Sequence, residues 1–221
     1  MCSRFVQNLS PRAYAERYGV GLDVPLPNAP ARWTVAPTDD ALVLRRHPEA
    51  GDLRLSLLRW GLVPVWSRDT RGAARLINAR AETIAEKPSF RGAWHRRRRC
   101  VVPAEGFYEW TPGPGGKVPH FIFLRGGAGM ALAGLWEGWK DPASGEWLRT
   151  FTLVTCAANP VMAELHARMP VILHSADIPR YLGDPDPRDL LAPYPADAMA
   201  HRAVDPAEAK PGAAVPARAK N

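Results

Sequence analysis

RCVVPAEGFYEW, residues 99–110, carries two short runs of β-branched and aromatic side chains that break around Pro103 and Gly106. Runs of this kind, bounded by turn formers, predict β-strands. Within GFYEW the two-residue period of a strand puts Phe107 and Glu109 on one face and Tyr108 and Trp110 on the other. Outward from this pair the signature recurs in RWTVAP (32–37), ALVLRR (41–46), LRLSLLRWGL (53–62), HFIFLR (120–125), MALAGLWEGW (130–139) and RTFTLVTCA (149–157), about eight strands in all. Helical intervals are few. Residues 10–18 offer a serine N-cap and a proline at the first helical position, and 89–97, 159–169, 175–183 and 186–194 read as further short helices. The fold class is therefore α+β: one domain, a largely antiparallel, barrel-like sheet with a few short peripheral helices, not a doubly wound one. The domain is expected to span residues 1–205. From Pro206 the chain is Pro- and Ala-rich without an apolar stripe, so 206–221 is expected to be a disordered tail.

A chain of 221 residues can bury one substantial core, and its 46% apolar content with eight tryptophans excludes an intrinsically disordered protein. No apolar run approaches the roughly 18 residues needed to span a bilayer. The opening MCSRFVQNLSPR lacks the apolar core of a signal peptide, so cytoplasmic residence is expected, with nucleoid association when DNA is bound. Cys2, Cys100 and Cys156 are odd in number and form no C-x-x-C pair, which suggests neither a disulfide framework nor a metal site; no cofactor is expected. Lys plus Arg exceed Asp plus Glu by 29 to 22, a net charge of +7, which favours a polyanionic partner, nucleic acid before membrane. Arginine supplies most of this charge, and its planar fork suits phosphate oxygens, although a GC-rich genome yields the same abundance.

Cys2 stands directly behind the initiator methionine. A small residue there lets Met1 be trimmed, leaving a 1,2-aminothiol at the chain end. An α-amine has a reference pKa of about 7.7–8.0 and a thiol about 8.5, so part of each is deprotonated near neutrality. The amine can take an aldehyde as a Schiff base, and the thiol can close the product to a thiazolidine; an incidental cysteine is the plain alternative. Glu109, between aromatics on a strand, is a general acid/base if it is partly buried and an ordinary wet carboxylate if not. His166, in ELHARMPVIL, sits near the end of a predicted helix that breaks into a strand through Pro170. It suits proton transfer at a pocket edge or merely caps its helix. In LINARAET, Asn78, Arg80 and Glu82 share one face of an extended segment. Asn78 and Arg80 can bind a sugar oxygen and a phosphate together, unless the segment is simply a wet edge strand. Trp60 and Trp66, in WGLVPVWSR, offer stacking surfaces for single-stranded nucleic acid or core packing. The run WHRRRRC (94–100) can track a phosphate backbone or end a solvated helix.

Taken in order, MCSRF, RWTVAPT, RWGLVPVW, NARAET, RCVVPAEGFYEW, LAGLWEGW and TCAANPVMAELHARMPVIL resemble the SRAP (SOS response-associated peptidase) family of abasic-site processing proteins, from Met1 to about Val204. The resemblance implies that Cys2, once exposed, traps the ring-opened aldehyde of an abasic site in single-stranded DNA as a thiazolidine. It implies that Asn78 binds the sugar-derived oxygen, that Glu109 and His166 move protons, and that His166 assists reversal. It also implies that Arg4 and Arg80 hold phosphates while Trp66 forms part of an apolar wall for neighbouring bases. The partner implied is single-stranded DNA with abasic sites. From the residues themselves no membrane partner and no metal are expected, and a monomer is expected because a protein seated on a strand end or gap needs no partner subunit. Where the family usually reads M-C-G-R this chain has Ser3, whose Cβ excludes backbone shapes open to glycine. Two other readings use the same residues: an N-terminal-nucleophile thiol peptidase that removes its own Met1, and a non-catalytic single-stranded nucleic-acid binding module.

Overall fold

Thirteen strands and four short helices, joined by 3-10 turns, make up the described residues, 2–210, of the computed structural model. In chain order they are β1 (Arg4–Gln7), α1 (Pro11–Arg17), β2 (Arg32–Val35), β3 (Asp40–Arg46), β4 (Leu53–Trp60), β5 (Asn78–Arg80), α2 (Arg91–His95), β6 (Arg99–Ala104), β7 (Gly106–Gly113), β8 (Gly116–Leu124) and β9 (Met130–Lys140). There follow β10 (Trp147–Ala157), α3 (Pro160–Ala163), β11 (Arg168–Pro170), β12 (Ile172–Leu173), α4 (Ile178–Gly183) and β13 (Met199–Ala203). Strands β10, β4, β3, β6 and β9 pair in that order, and β9 pairs back with β10, so five strands close a barrel in which only the β10–β4 ladder is parallel. A second, antiparallel sheet runs β13-β8-β7-β1-β2. The expected α+β barrel-like architecture is the observed one.

Register explains the core. It puts Val43, Leu58, Trp60, Val102, Phe151 and Leu153 on one face of their strands, all at 1% exposure or less, and this face is the barrel interior. In the second sheet the alternation of GFYEW holds: Phe107 joins the main core, whereas Tyr108 and Trp110 pack on the opposite face with Val6 and Phe121. Gly106 opens this strand because a Cβ there would lie 2.4 Å from the Ile122 carbonyl oxygen and from the Phe121 ring.

Several expectations shift. The strands β1 and β13 were not legible: the first has four residues, and the second carries polar or exposed positions on a sheet edge. Helix α1 begins on the expected cap, with Ser10 Oγ accepting from Ala13 N–H at 3.2 Å. The helix expected over 159–169 stops at Ala163, so His166 lies in the turn before β11. That expected over 186–194 is a 3-10 turn, Arg188–Leu190, hemmed by Pro187 and Pro193. Of the expected tail, residues 206–210 are described and Ala209 is buried against the second sheet at 5% exposure; 211–221 lie outside the described residues.

Burial leaves a mark on alkaline stability. It pushes the Cys2 thiol up to about 12, Cys156 to about 11 and the Tyr18 and Tyr108 phenols to about 12, and raises Cys100, Tyr14 and Tyr181 as well. An unfolded chain releases these protons at ordinary values, about 8.5 for thiols and 10 for phenols. Above about pH 8.5 the native state thus holds more protons than the unfolded one, and stability falls as pH rises. The thermal midpoint is expected to be flat from about pH 7 to 8.5 and to drop steeply between about pH 9 and 11. A midpoint unchanged across that range would contradict the burial described.

Candidate active site

Pairing of β1 with β7 sets Arg4 opposite Tyr108, so the chain preceding β1 runs beside Glu109 and Trp110. Cys2 is 1% exposed and its thiol donates to the Arg4 carbonyl at 3.6 Å. Its own carbonyl accepts from Asn78 Nδ2 at 2.8 Å. Asn78 reaches this point because β5 lies parallel to β10, opposite Leu153. Its Oδ1 is buried without a hydrogen-bond partner, an acceptor left open at the cysteine. Glu109 is 6% exposed, and its charge adds to burial in holding the Cys2 thiol protonated.

Glu109, Arg4 and His166 line one cleft of about 710 Å³, together with Ser3, Trp110, Lys117 and the end of the described chain at Lys210. Cys2 lies behind this wall. His166 Nδ1 accepts the Arg168 backbone N–H at 2.9 Å, which leaves Nε2 to carry the proton of the neutral ring. Arg168 is itself fixed: its fork reaches Glu82 at 2.5 and 2.9 Å and the Thr155 carbonyl at 2.7 Å. This ion pair ties the turn after β5 to β11, hence the strand of Asn78 to the turn of His166, and it holds the Glu82 carboxyl below its usual range. Positive φ among non-glycine residues occurs only at Thr38 (75°) and Arg97 (54°) within the described residues, so Ser3 uses backbone open to any side chain.

The sequence-predicted residues divide. Cys2, Asn78 and Glu109 converge, and His166 and Arg4 share their cleft. Arg80 is exposed at the end of β5, on the same side as Asn78 by strand alternation. Trp66 is 62% exposed and lines a separate concavity of about 260 Å³. Trp60 is a correction: at 0% exposure it stacks on Phe151, meets Phe5 edge-on at 4.9 Å and donates Nε1–H to the Ile77 carbonyl at 2.9 Å, so no base can reach it. Trp60→Ala is expected to cost about 3–5 kcal/mol of stability, whereas Trp66→Ala should stay within about 0.5 kcal/mol; denaturant midpoints compare the two. The basic run of 94–100 also divides, since Arg99 is 1% exposed with its guanidinium on backbone carbonyls at Asp184 and Pro185. Lys117 and Lys210 escaped sequence reasoning. Lys117 reaches the cleft only because the β7–β8 hairpin pairs it with Pro112, and no local signal marks it.

A closed five-stranded barrel beside a second antiparallel sheet, with a cysteine just before the first strand of that second sheet, an amide and a carboxylate beside it, and an imidazole in the basic cleft in front, defines a class of barrel proteins with a thiol near the start of the chain. The family model described as SOS response associated peptidase (SRAP) matches residues 1–210, and the chain belongs to that family. It is 38% identical to the abasic site processing protein YoqW of Bacillus subtilis across 90% of each chain, and 33% identical to the abasic site processing protein HMCES of Gallus gallus across 60% of this chain and 47% of that one. Among solved structures it resembles a protein from Bacteroides thetaiotaomicron with a TM-score of 0.82 and 25% identity over 93% of both chains. A protein from Bordetella bronchiseptica gives 0.78 and 29% over 92% of this chain and all of the other.

Proposed function

We propose that the protein processes abasic sites in single-stranded DNA by forming a covalent thiazolidine link through Cys2 after Met1 is removed. The observation that carries this reading is the convergence on Cys2 of Asn78, with its open buried acceptor, and of Glu109, at the wall of a cleft bearing Arg4, Lys117 and His166. The names of the curated relatives support it.

The chemistry balances without a cofactor. The Cys2 α-amine attacks the aldehyde carbon of the ring-opened sugar, and the carbinolamine loses one water to give an imine. The thiol sulfur then bonds to the imine carbon, and its proton passes to the imine nitrogen. A thiol held protonated near Glu109 needs a base at this moment. Transfer to Glu109 removes the negative charge that opposes thiolate, so the proton moves as the carbon–sulfur bond forms. Asn78 Oδ1 accepts from a hydroxyl of the opened sugar. His166 Nε2–H serves the departing water, and by microscopic reversibility the return of water when the link is undone. Arg4 and Lys117 hold phosphates, and Arg80 and Trp66 continue the path of the strand. The missing base is itself the signal, so no base-edge reader is required. Such a protein acts as a monomer in the cytoplasm, at the nucleoid when DNA is bound.

Intact mass under denaturing conditions, before and after incubation with an oligonucleotide containing one abasic site, tests the reading. The expected starting mass lacks Met1, and the expected product is protein plus oligonucleotide minus one water. A chain that retains Met1 and forms no adduct overturns it.

A further inference from the structure

A second concavity, about 380 Å³, shares no lining residue with the cleft in front of Cys2, and its wall is lined by Arg46, Arg96, Arg97, Arg98, Arg99 and Trp136. Arg46 of this wall pairs with Leu53 at the start of β4, and Phe5 of the cysteine-bearing strand packs on Trp60 at the end of β4, about 20 Å of strand away. Among the described residues Glu137 is the only carboxylate paired with any of these five arginines; it meets Arg96 at 3.9 Å and also Arg98. Arg99 is spent on backbone carbonyls. Positive charge therefore exceeds its compensation on this wall.

Three details indicate that the excess is arranged. Trp136 is flanked by two guanidinium groups, Arg98 at 5.3 Å and Arg45 at 4.6 Å, which fixes both in place. Arg45 is only 6% exposed, and its Nε and Nη1 have no hydrogen-bond partner. Burial, then the like charges of Arg149 and Arg54, lowers its proton affinity without supplying a counterion. Arg97 closes helix α2 in the left-handed region, φ 54°, where glycine or asparagine is the usual choice. An arginine kept at a position that strains it points to use of its charge.

We propose that this arginine-lined concavity is a second anion site, which binds phosphodiesters of an undamaged stretch of the strand whose lesion occupies the Cys2 cleft. The inference rests on the DNA reading above. Exposed, forked guanidinium groups spread along an open wall suit successive monoanionic phosphates. A membrane surface fits less well, because none of the exposed large apolar side chains, Leu22, Leu57, Val65, Trp66 and Trp147, lines this concavity.

The test compares wild type with the double variant Arg96→Ser, Arg97→Gly on undamaged single strands of about 8 and about 30 nucleotides, on vesicles containing anionic lipid, and in crosslinking to the short strand with one abasic site. On the long strand the variant is expected to bind several-fold more weakly, with a log–log salt slope smaller by about 1.4, for two phosphate contacts at about 0.7 each. Crosslinking to the short strand, whose lesion sits in the Cys2 cleft, is expected to be unchanged. The thermal midpoint should rise, because glycine relieves the positive φ. Equal affinities of variant and wild type on the long strand overturn the proposal, as does an equal loss in crosslinking to the short strand or a loss confined to vesicles. Absence of crosslinking in wild type defeats the abasic-site reading instead, and the length dependence still reports on this site separately.

Discussion

Replacing Cys2 by alanine is expected to abolish the stable adduct with an abasic oligonucleotide while leaving the fold in place. The thiol is buried but small and makes one weak hydrogen bond, to the Arg4 carbonyl, so its loss should cost on the order of 1 kcal/mol. The mature end of this variant still carries an α-amine. It can form the imine but cannot close it, so an adduct should appear only when a hydride reductant traps that imine. Wild type should give its adduct with or without reductant. Serine in place of Cys2 should behave as alanine does, since a hydroxyl is a far poorer nucleophile than a thiol at neutral pH. If Cys2→Ala formed a reductant-independent adduct as fast as wild type, the thiazolidine would be ruled out and capture would belong to another group.

Glu109→Gln carries the second large effect, and it has two signs. The amide cannot accept the thiol proton, so adduct formation should slow by about 10²–10⁴-fold. The substitution also removes the negative charge that, after burial, holds the Cys2 thiol up at about 12, so thiolate should form at lower pH than in wild type. Titration of thiolate absorbance reads the second effect, with Cys100 and Cys156 as a common background. Slower capture by a more acidic thiol is what a proton-accepting carboxylate predicts. A merely structural Glu109 would instead lower stability and leave the rate per folded molecule unchanged.

Much of the architecture was written locally. GFYEW alternates so that Phe107 and Tyr108 enter different cores, and the two strands that begin within 99–110 lie where their β-branched and aromatic residues place them. Ser10 and Pro11 set the start of α1 for reasons internal to one helical turn. By contrast, β1 has too few residues for a period to show and β13 carries polar or exposed positions, and both become strands by pairing with their neighbours. His166 shows the same limit: the helical spacing before it is real, but β11 claims the chain by pairing with β10, and the helix ends three residues earlier.

What the sequence by itself determined is the chemistry available: an aminothiol if Met1 is removed, a strand carboxylate, an amide, an imidazole and an arginine-rich surface. Residue types alone state those reactivities. Which groups meet was decided by the tertiary structure. Asn78 and Cys2 are 76 positions apart and touch only because the parallel β5–β10 ladder carries one to the other. Trp60 and Trp66 look alike in the sequence, yet closure of the barrel buries the first and leaves the second exposed. The arginines of 96–99 are consecutive, yet one is sealed on backbone carbonyls and two share a buried glutamate. Burial and partnership are properties of long-range contacts, and those contacts set pKa, accessibility and hence use.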